Sequence, residues 1–170
     1  MMINSNVAIC YSLLLLTVNG CKVDYSLNGA SIPPEAKTVS VQYFTNNSAL
    51  APPYLSQQFT EALKDICASQ TKLGLVTRGG ELSFEGYISD YKVSPLAIQT
   101  NDQAALNRLT ITVLVKYNNK FDEKKNFESE FTRYADYSSS LSLASQEPAL
   151  IPEILKELTE DIFNKAFNNW

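Results

Sequence analysis

The chain contains no histidine among its 170 residues. That absence excludes Ser-His-Asp and Cys-His catalysis and any zinc site with a His ligand. Acid–base chemistry would fall to carboxylates, Lys, Tyr or Cys. Basic charge is also scarce: 14 Lys and Arg stand against 18 Asp and Glu, a formal net charge of −4. Nucleic-acid binders carry a basic stripe and a high pI, whereas this sequence has a pI near 4.9. There is no phosphate loop, because Arg78-Gly79-Gly80 lacks the Lys-Ser/Thr ending and precedes a strand pattern. A GxSxG elbow is missing too. The neighbouring carboxylates Glu128/Glu130 and Glu160/Asp161 read as solvated surface positions. The sequence therefore points to no catalytic residue, no cofactor and no metal.

Long apolar runs are short as well. Val7–Val18, VAICYSLLLLTV, is a twelve-residue stretch, and a membrane-spanning helix needs about 17–25 residues. A short apolar segment at the N-terminus suits a secretory signal. It ends in Val18-Asn19-Gly20-Cys21, which resembles a bacterial lipobox. That resemblance implies cleavage after Gly20, acylation of Cys21 and a mature chain of 170 − 20 = 150 residues. Residues 1–20 are then the signal peptide, 21–36 a lipid-anchored linker and 37–170 a single domain. The same residues also fit an ordinary signal peptide cut nearby, with Cys21 a plain thiol, or a buried N-terminal helix. Of the three cysteines, Cys10 leaves with the signal and Cys21 is lipidated, so Cys67 has no partner to bridge. It falls on the apolar face of a helical pattern, where a thiol behaves as a small inert hydrophobe.

The hydrophobic fraction of 45% supplies a core for one domain of this length. Its spacing predicts the elements. Residues 37–44 alternate, with Val39, Val41 and Tyr43 on one side, as a half-buried strand does. Leu55, Phe59, Ala62, Leu63, Ile66 and Cys67 recur every three or four residues and predict a helix over 54–69. A short strand over 73–77 follows, then a Gly79-Gly80 turn. Residues 81–91 alternate again, with Leu82, Phe84 and Ile88 inward and Tyr87 and Tyr91 outward. Gly86, on the inward side, suits a bulge or a close backbone approach.

Residues 92–105 read as a connection. The β-branched run 106–118 is the strongest strand pattern, and the charged loop 119–126 joins it to a partner strand over 127–137. A polar connection over 138–148 leads to a second helix over 149–170, with Pro148 and Pro152 in its first turns. Two striped helices and several one-faced strands predict an α+β two-layer sandwich, a small mixed β-sheet with both α-helices packed on one face. The other face is then open. Tyr87, Tyr91, Arg108, Thr112, Leu114, Lys116, Thr132 and Tyr134 are expected to share it, a mixture of tyrosines and cations that suits an interface or phosphates.

Five segments carry a family resemblance: Gly29–Phe44 (GASIPPEAKTVSVQYF), Leu55–Asp65 (LSQQFTEALKD), Ala104–Tyr117 (AALNRLTITVLVKY), Phe131–Tyr137 (FTRYADY) and Glu160–Trp170 (EDIFNKAFNNW). In order, and across nearly the whole mature chain, they resemble the LptE family of lipopolysaccharide-assembly lipoproteins in its Bacteroidota-type form. The resemblance implies a two-layer sandwich, an outer-membrane anchor, no catalysis, and a plug inside an LptD-type β-barrel that inserts lipopolysaccharide into the outer leaflet. Its partners would be that barrel, lipopolysaccharide, and outer-membrane lipid through the acylated Cys21, with no nucleic acid. Lys22-Val23-Asp24, with no acidic run after Cys21, resembles periplasm-facing lipoproteins. No family motif places the lipopolysaccharide contacts in this sequence. Arg108, Lys116, Arg133, Tyr87, Tyr91 and Tyr134 are candidates from face and charge alone, and Arg133 needs a bulge or strand end to escape the inward side. The second reading is a free periplasmic lipid- or peptide-binding module on the same sandwich.

Overall fold

A computed structural model describes residues 32–96 and 105–168. The signal segment, Cys21, most of the linker and Trp170 lie outside the described residues. The elements, in order, are β1 (Thr38–Val41), β2 (Thr45–Asn46), α1 (Leu55–Gln70), β3 (Gly74–Val76), β4 (Leu82–Pro95), β5 (Leu106–Asn119), β6 (Phe127–Ser138) and α2 (Leu143–Phe167). A single turn of 3-10 helix at Glu123–Lys125 lies between β5 and β6. The strands form one mixed sheet in the order β3-β1-β4-β5-β6, with β2 also on β4. The first strand runs parallel to β3 and β4, whereas β4, β5 and β6 are antiparallel. The architecture is the α+β one that the periodicity predicts.

The helix stripes and the inward strand faces close on one core. In α1 the buried residues Leu55, Phe59, Leu63 and Cys67 repeat every fourth position, which aligns them along one side. In α2 the stripe runs from Leu150 and Ile151 through Ile154, Leu158 and Ile162 to Phe167. Beneath them lie Leu82, Phe84 and Ile88 of β4 and Leu109, Ile111, Val113, Val115 and Tyr117 of β5. Phe167 stands edge-on to both Phe84 and Tyr117, with ring centroids 5.9 Å apart in each pair. Edge-to-face rings of this kind add to the area they bury.

Four expectations change. The first strand stops at Val41, Tyr43 is 59% exposed, and Phe44 enters the core instead. The reason is local. The Phe44 amide donates to Thr60 Oγ of α1 at 3.1 Å, and its ring meets Phe59 at 4.9 Å, so the chain turns between Val41 and Phe44. Second, β4 continues to Pro95 where a connection was expected, paired with β5 throughout. Third, its register shifts between Ile88 and Asp90, so Ser89 is an extra residue. An extra residue in one strand turns every later side chain to the opposite face. Fourth, α2 begins at Leu143 and holds Pro148 and Pro152 inside it. Leu143 packs on the core, and Glu147 takes hydrogen bonds from two tyrosines. The Glu147 side-chain bonds and the single apolar contact of Leu143, and not a continuous apolar stripe, hold this polar first part.

Two glycines allow close backbone approaches. The connection 77–81 leaves β3 and crosses β1 on the helix-free side, where the Gly80 amide donates to Ser40 Oγ at 3.2 Å. A Cβ on Gly80 would sit 2.5 Å from the Ser40 nitrogen and 2.9 Å from the Val39 carbonyl carbon. Gly86 has φ +156° and lies against the Leu114 carbonyl and the Phe44 ring. It is the close approach that its place in the strand pattern suggested.

Candidate interaction face

The helix-free side of β4, β5 and β6 is a regular grid set by the strand register. Glu85, Lys116 and Glu128 form one row; Tyr87, Leu114 and Glu130 the next; then Asp90, Thr112 and Thr132; Lys92, Thr110 and Tyr134; and Ser94, Arg108 and Asp136. Four of the six candidate residues stand here: Tyr87, Arg108, Lys116 and Tyr134. Neither β5 nor β6 has a bulge along their shared register, so the alternation read from sequence survives there intact.

Two of the three cations on this grid, Arg108 and Lys116, are already paired. Arg108 makes two parallel hydrogen bonds to Asp136, 2.7 and 2.9 Å, the bidentate geometry that suits a guanidinium and a carboxylate. Its guanidinium carbon also lies 3.5 Å from the centre of the Tyr134 ring, a cation–π stack. The Asp136 hydrogen bonds raise the pKa of Arg108, and Arg108 in turn lowers that of Asp136. Lys116 Nζ lies 3.1 Å from Glu85, whose carboxylate also accepts from Gln42 at 3.2 Å. Thr112 and Thr132 share a 3.0 Å hydrogen bond across the strands. Three cations (Lys92, Arg108, Lys116) face five carboxylates (Glu85, Asp90, Glu128, Glu130, Asp136), so 3 − 5 leaves the grid at −2. A face of net negative charge disfavours free phosphate groups, and its paired Arg108, Lys116 and Thr112 side chains are held in place for contact with a protein surface.

Two candidates are elsewhere. Tyr91 is 2% exposed and lies in the core, not on the open face. The Ser89 bulge inverts the strand that follows it, so Tyr91 pairs with Ile111 and points toward the helices. Its hydroxyl donates to Glu147 of α2 at 2.6 Å, and Tyr54, just before α1, donates to the same carboxylate at 3.2 Å. Burial first, and the Glu147 bond next, push the Tyr91 phenol well above its ordinary range. Glu147 reads in the sequence as an acidic residue at the start of the second helix, and nothing there signals its contact with Tyr91, 56 residues away along the chain.

Arg133 likewise finds no bulge to release it. It pairs with Ile111 and reaches to the helix side at the sheet edge. There it donates to Asp161 of α2 at 2.6 and 2.8 Å, with Glu157 at 3.9 Å. It ties the two layers together. Its chemistry is that of a partly exposed ion pair at the seam.

Other features offer little for catalysis. Burial pushes the Cys67 thiol up to about 12, so it is protonated at neutral pH and is a poor nucleophile. Among the described residues no group of three or more His, Cys, Asp or Glu could hold a metal ion. No described helix is long and apolar enough to cross a membrane. A groove of about 440 Å³ beside β3 is lined by Tyr43, Lys64, Leu75 and Arg78 among others.

Comparison with known proteins adds to this geometry. The model of the LptE family, described as lipopolysaccharide-assembly, matches residues 36–166. No curated protein is similar enough in sequence to count as a match. Among solved structures, a hypothetical protein of Chlamydia trachomatis is similar at TM-score 0.50 and 12% identity, covering 77% of this chain and 98% of its own. A minor lipoprotein of Acinetobacter baumannii gives TM-score 0.45 at 15% identity, covering 76% and 91%. The rare lipoprotein B of Shewanella oneidensis gives 0.45 at 10% identity, covering 75% and 89%. The first of these likenesses speaks for the fold alone.

Proposed function

The chain belongs to the LptE family of lipopolysaccharide-assembly proteins, and from that premise we propose that it is a non-enzymatic assembly factor and plug of an LptD-type outer-membrane barrel. The observation that carries the reading is the span of the match. Residues 36–166 include every strand and all but the last residue of α2, so the whole sandwich is the family's unit. Acylation at Cys21 would hold it to the outer membrane, facing the periplasm.

The grid on the open face supports contact with the barrel over contact with lipopolysaccharide phosphates. A phosphate would have to take Arg108 from a bidentate carboxylate and a stacked ring, and Lys116 from Glu85. A barrel wall asks for no such exchange. Tyr87, Leu114, Tyr134 and the Thr112–Thr132 pair offer it flat contact area with little side-chain entropy left to lose.

Depletion in the native host tests the proposal. Newly made lipopolysaccharide should then fail to reach the cell surface, read by surface labelling while total lipopolysaccharide persists. Unchanged surface labelling in depleted cells would overturn the reading.

A further inference from the structure

One edge of the sheet is short and the other is long. At one side stands β3, three residues; at the other stands β6, twelve residues, Phe127–Ser138. Along β6 the pairing with β5 is continuous from Phe127 to Ser138, and among the described residues no strand pairs with its other side. An edge of this kind presents a row of unpaired backbone N–H and C=O groups that can template another strand. Proteins usually blunt long edges with proline, a bulge, lysines or an inward-pointing charge. This strand, FESEFTRYADYS, has no proline, no glycine, no lysine and no register shift, and its one inward charge, Arg133, is neutralised by Asp161 of α2.

It does have a charge pattern. Glu128 and Glu130 are exposed and make no ion pair among the described residues, since Lys116 turns to Glu85 and not to its cross-strand neighbour Glu128. Around the edge, Asp136 is matched by Arg108, and Asp161 and Glu157 by Arg133. With Lys165, which lies over the Phe127 and Phe131 rings at 4.9 and 5.6 Å, the cations are three. The carboxylates (Glu128, Glu130, Asp136, Glu157, Asp161) are five, and 3 − 5 leaves −2. Two copies pairing edge to edge would bring these negative edges together. A basic strand would be drawn to them.

We propose that β6 is a strand-addition site for an extended polypeptide segment with Lys or Arg at alternate positions. Its cations would stand beside Glu128 and Glu130 on the open face. Its intervening residues, apolar and β-branched, would lie beside the half-buried Phe127 and Phe131 on the helix side. Backbone hydrogen bonds supply the attraction and the two carboxylates set the choice of partner, as in other strand additions. The site stands whether or not the barrel is the partner that supplies the strand.

Amide hydrogen exchange on the full chain tests it, with a ten-residue peptide alternating Lys and Val as the probe. In the free protein every second β6 amide faces away from β5 and should exchange fast. The Lys–Val peptide should slow those alternate amides by at least about tenfold. A Glu–Val peptide and an N-methylated Lys–Val peptide should not. In a Glu128→Lys/Glu130→Lys double variant the preference should switch to the Glu–Val peptide, and if that variant fails to fold, the choice the native chain makes between the two peptides decides. Equal protection by both peptides, or protection that misses the alternate β6 amides, would overturn the proposal. So would a peptide-free dimer joined through β6, which would assign the edge to a second copy.

Discussion

Replacing Tyr91 by Phe removes one oxygen and nothing else, so it isolates the bond to Glu147. Strict alternation would leave that oxygen in solvent, and the change would then stay within about ±0.5 kcal/mol. The Ser89 bulge instead buries Tyr91 to 2% exposure and aims its hydroxyl at Glu147 at 2.6 Å. A hydrogen bond to a charged acceptor is worth about 1.5–3 kcal/mol net. For a domain of this size that lowers Tm by roughly 3–12 °C. Tyr54→Phe, which loses a longer 3.2 Å bond at a half-exposed ring, should cost less than about 1 kcal/mol.

A double-mutant cycle with Glu147→Ala separates the bond from other effects, because Tyr91→Phe should then cost almost nothing more. The alkaline limb gives an independent sign. The folded phenol is raised above its ordinary value of 10.0, so the unfolded chain loses its proton first and stability falls as pH rises past that value. Tyr91→Phe should flatten that fall. A Tm shift below about 1 °C, with no coupling to Glu147, would refute the bulge and the inverted register together.

Three further outcomes follow from the same structure. Gly80→Ala puts a Cβ against the β1 backbone and disturbs the Gly80–Ser40 bond, so denaturant unfolding should show a loss of about 1–3 kcal/mol; no loss would mean that 77–81 does not cross β1 there. The Cys67 thiol, raised by burial from 9.0 to about 12, gives stability that is full below pH 9 and falls as pH climbs above it, by up to about 1.4 kcal/mol per unit. Melting curves of Cys67→Ala should lack that part of the slope, and an unchanged slope would place the thiol in water. Cys21→Ser should abolish labelled-palmitate incorporation, and normal labelling would move the lipid to another residue.

The sequence was most legible where one face is wet and the other dry. In β5 and β6, and in the stripe from Ile151 to Phe167, period alone placed the core side correctly. It failed where a long-range polar contact overrode the pattern. Phe44 takes the core place expected of Tyr43 because Thr60 of α1 holds its amide. Tyr91 changes face because Ser89 is inserted in register, and a bulge has no signature in a run of alternating residues. The early start of α2 rests on Glu147 meeting two tyrosines from other elements, a coincidence in space that spacing along the chain does not encode.

The candidate face divides in the same way. Arg108, Lys116, Tyr87 and Tyr134 fall where alternation places them, but their partners were invisible. Asp136, Glu85 and the Tyr134 ring turn two apparent free cations into closed pairs. A cation count taken from sequence therefore overstates the attraction of this face for phosphate.

Co-purification tests the central claim most directly. The full-length protein, affinity-tagged at its C-terminus and extracted from total membranes of its host in mild detergent, should bring down one large β-barrel protein in equal amount, identified by mass spectrometry as LptD-type. Recovery of the lipoprotein free of any barrel, at a level where the barrel itself is present in the extract, would contradict the account.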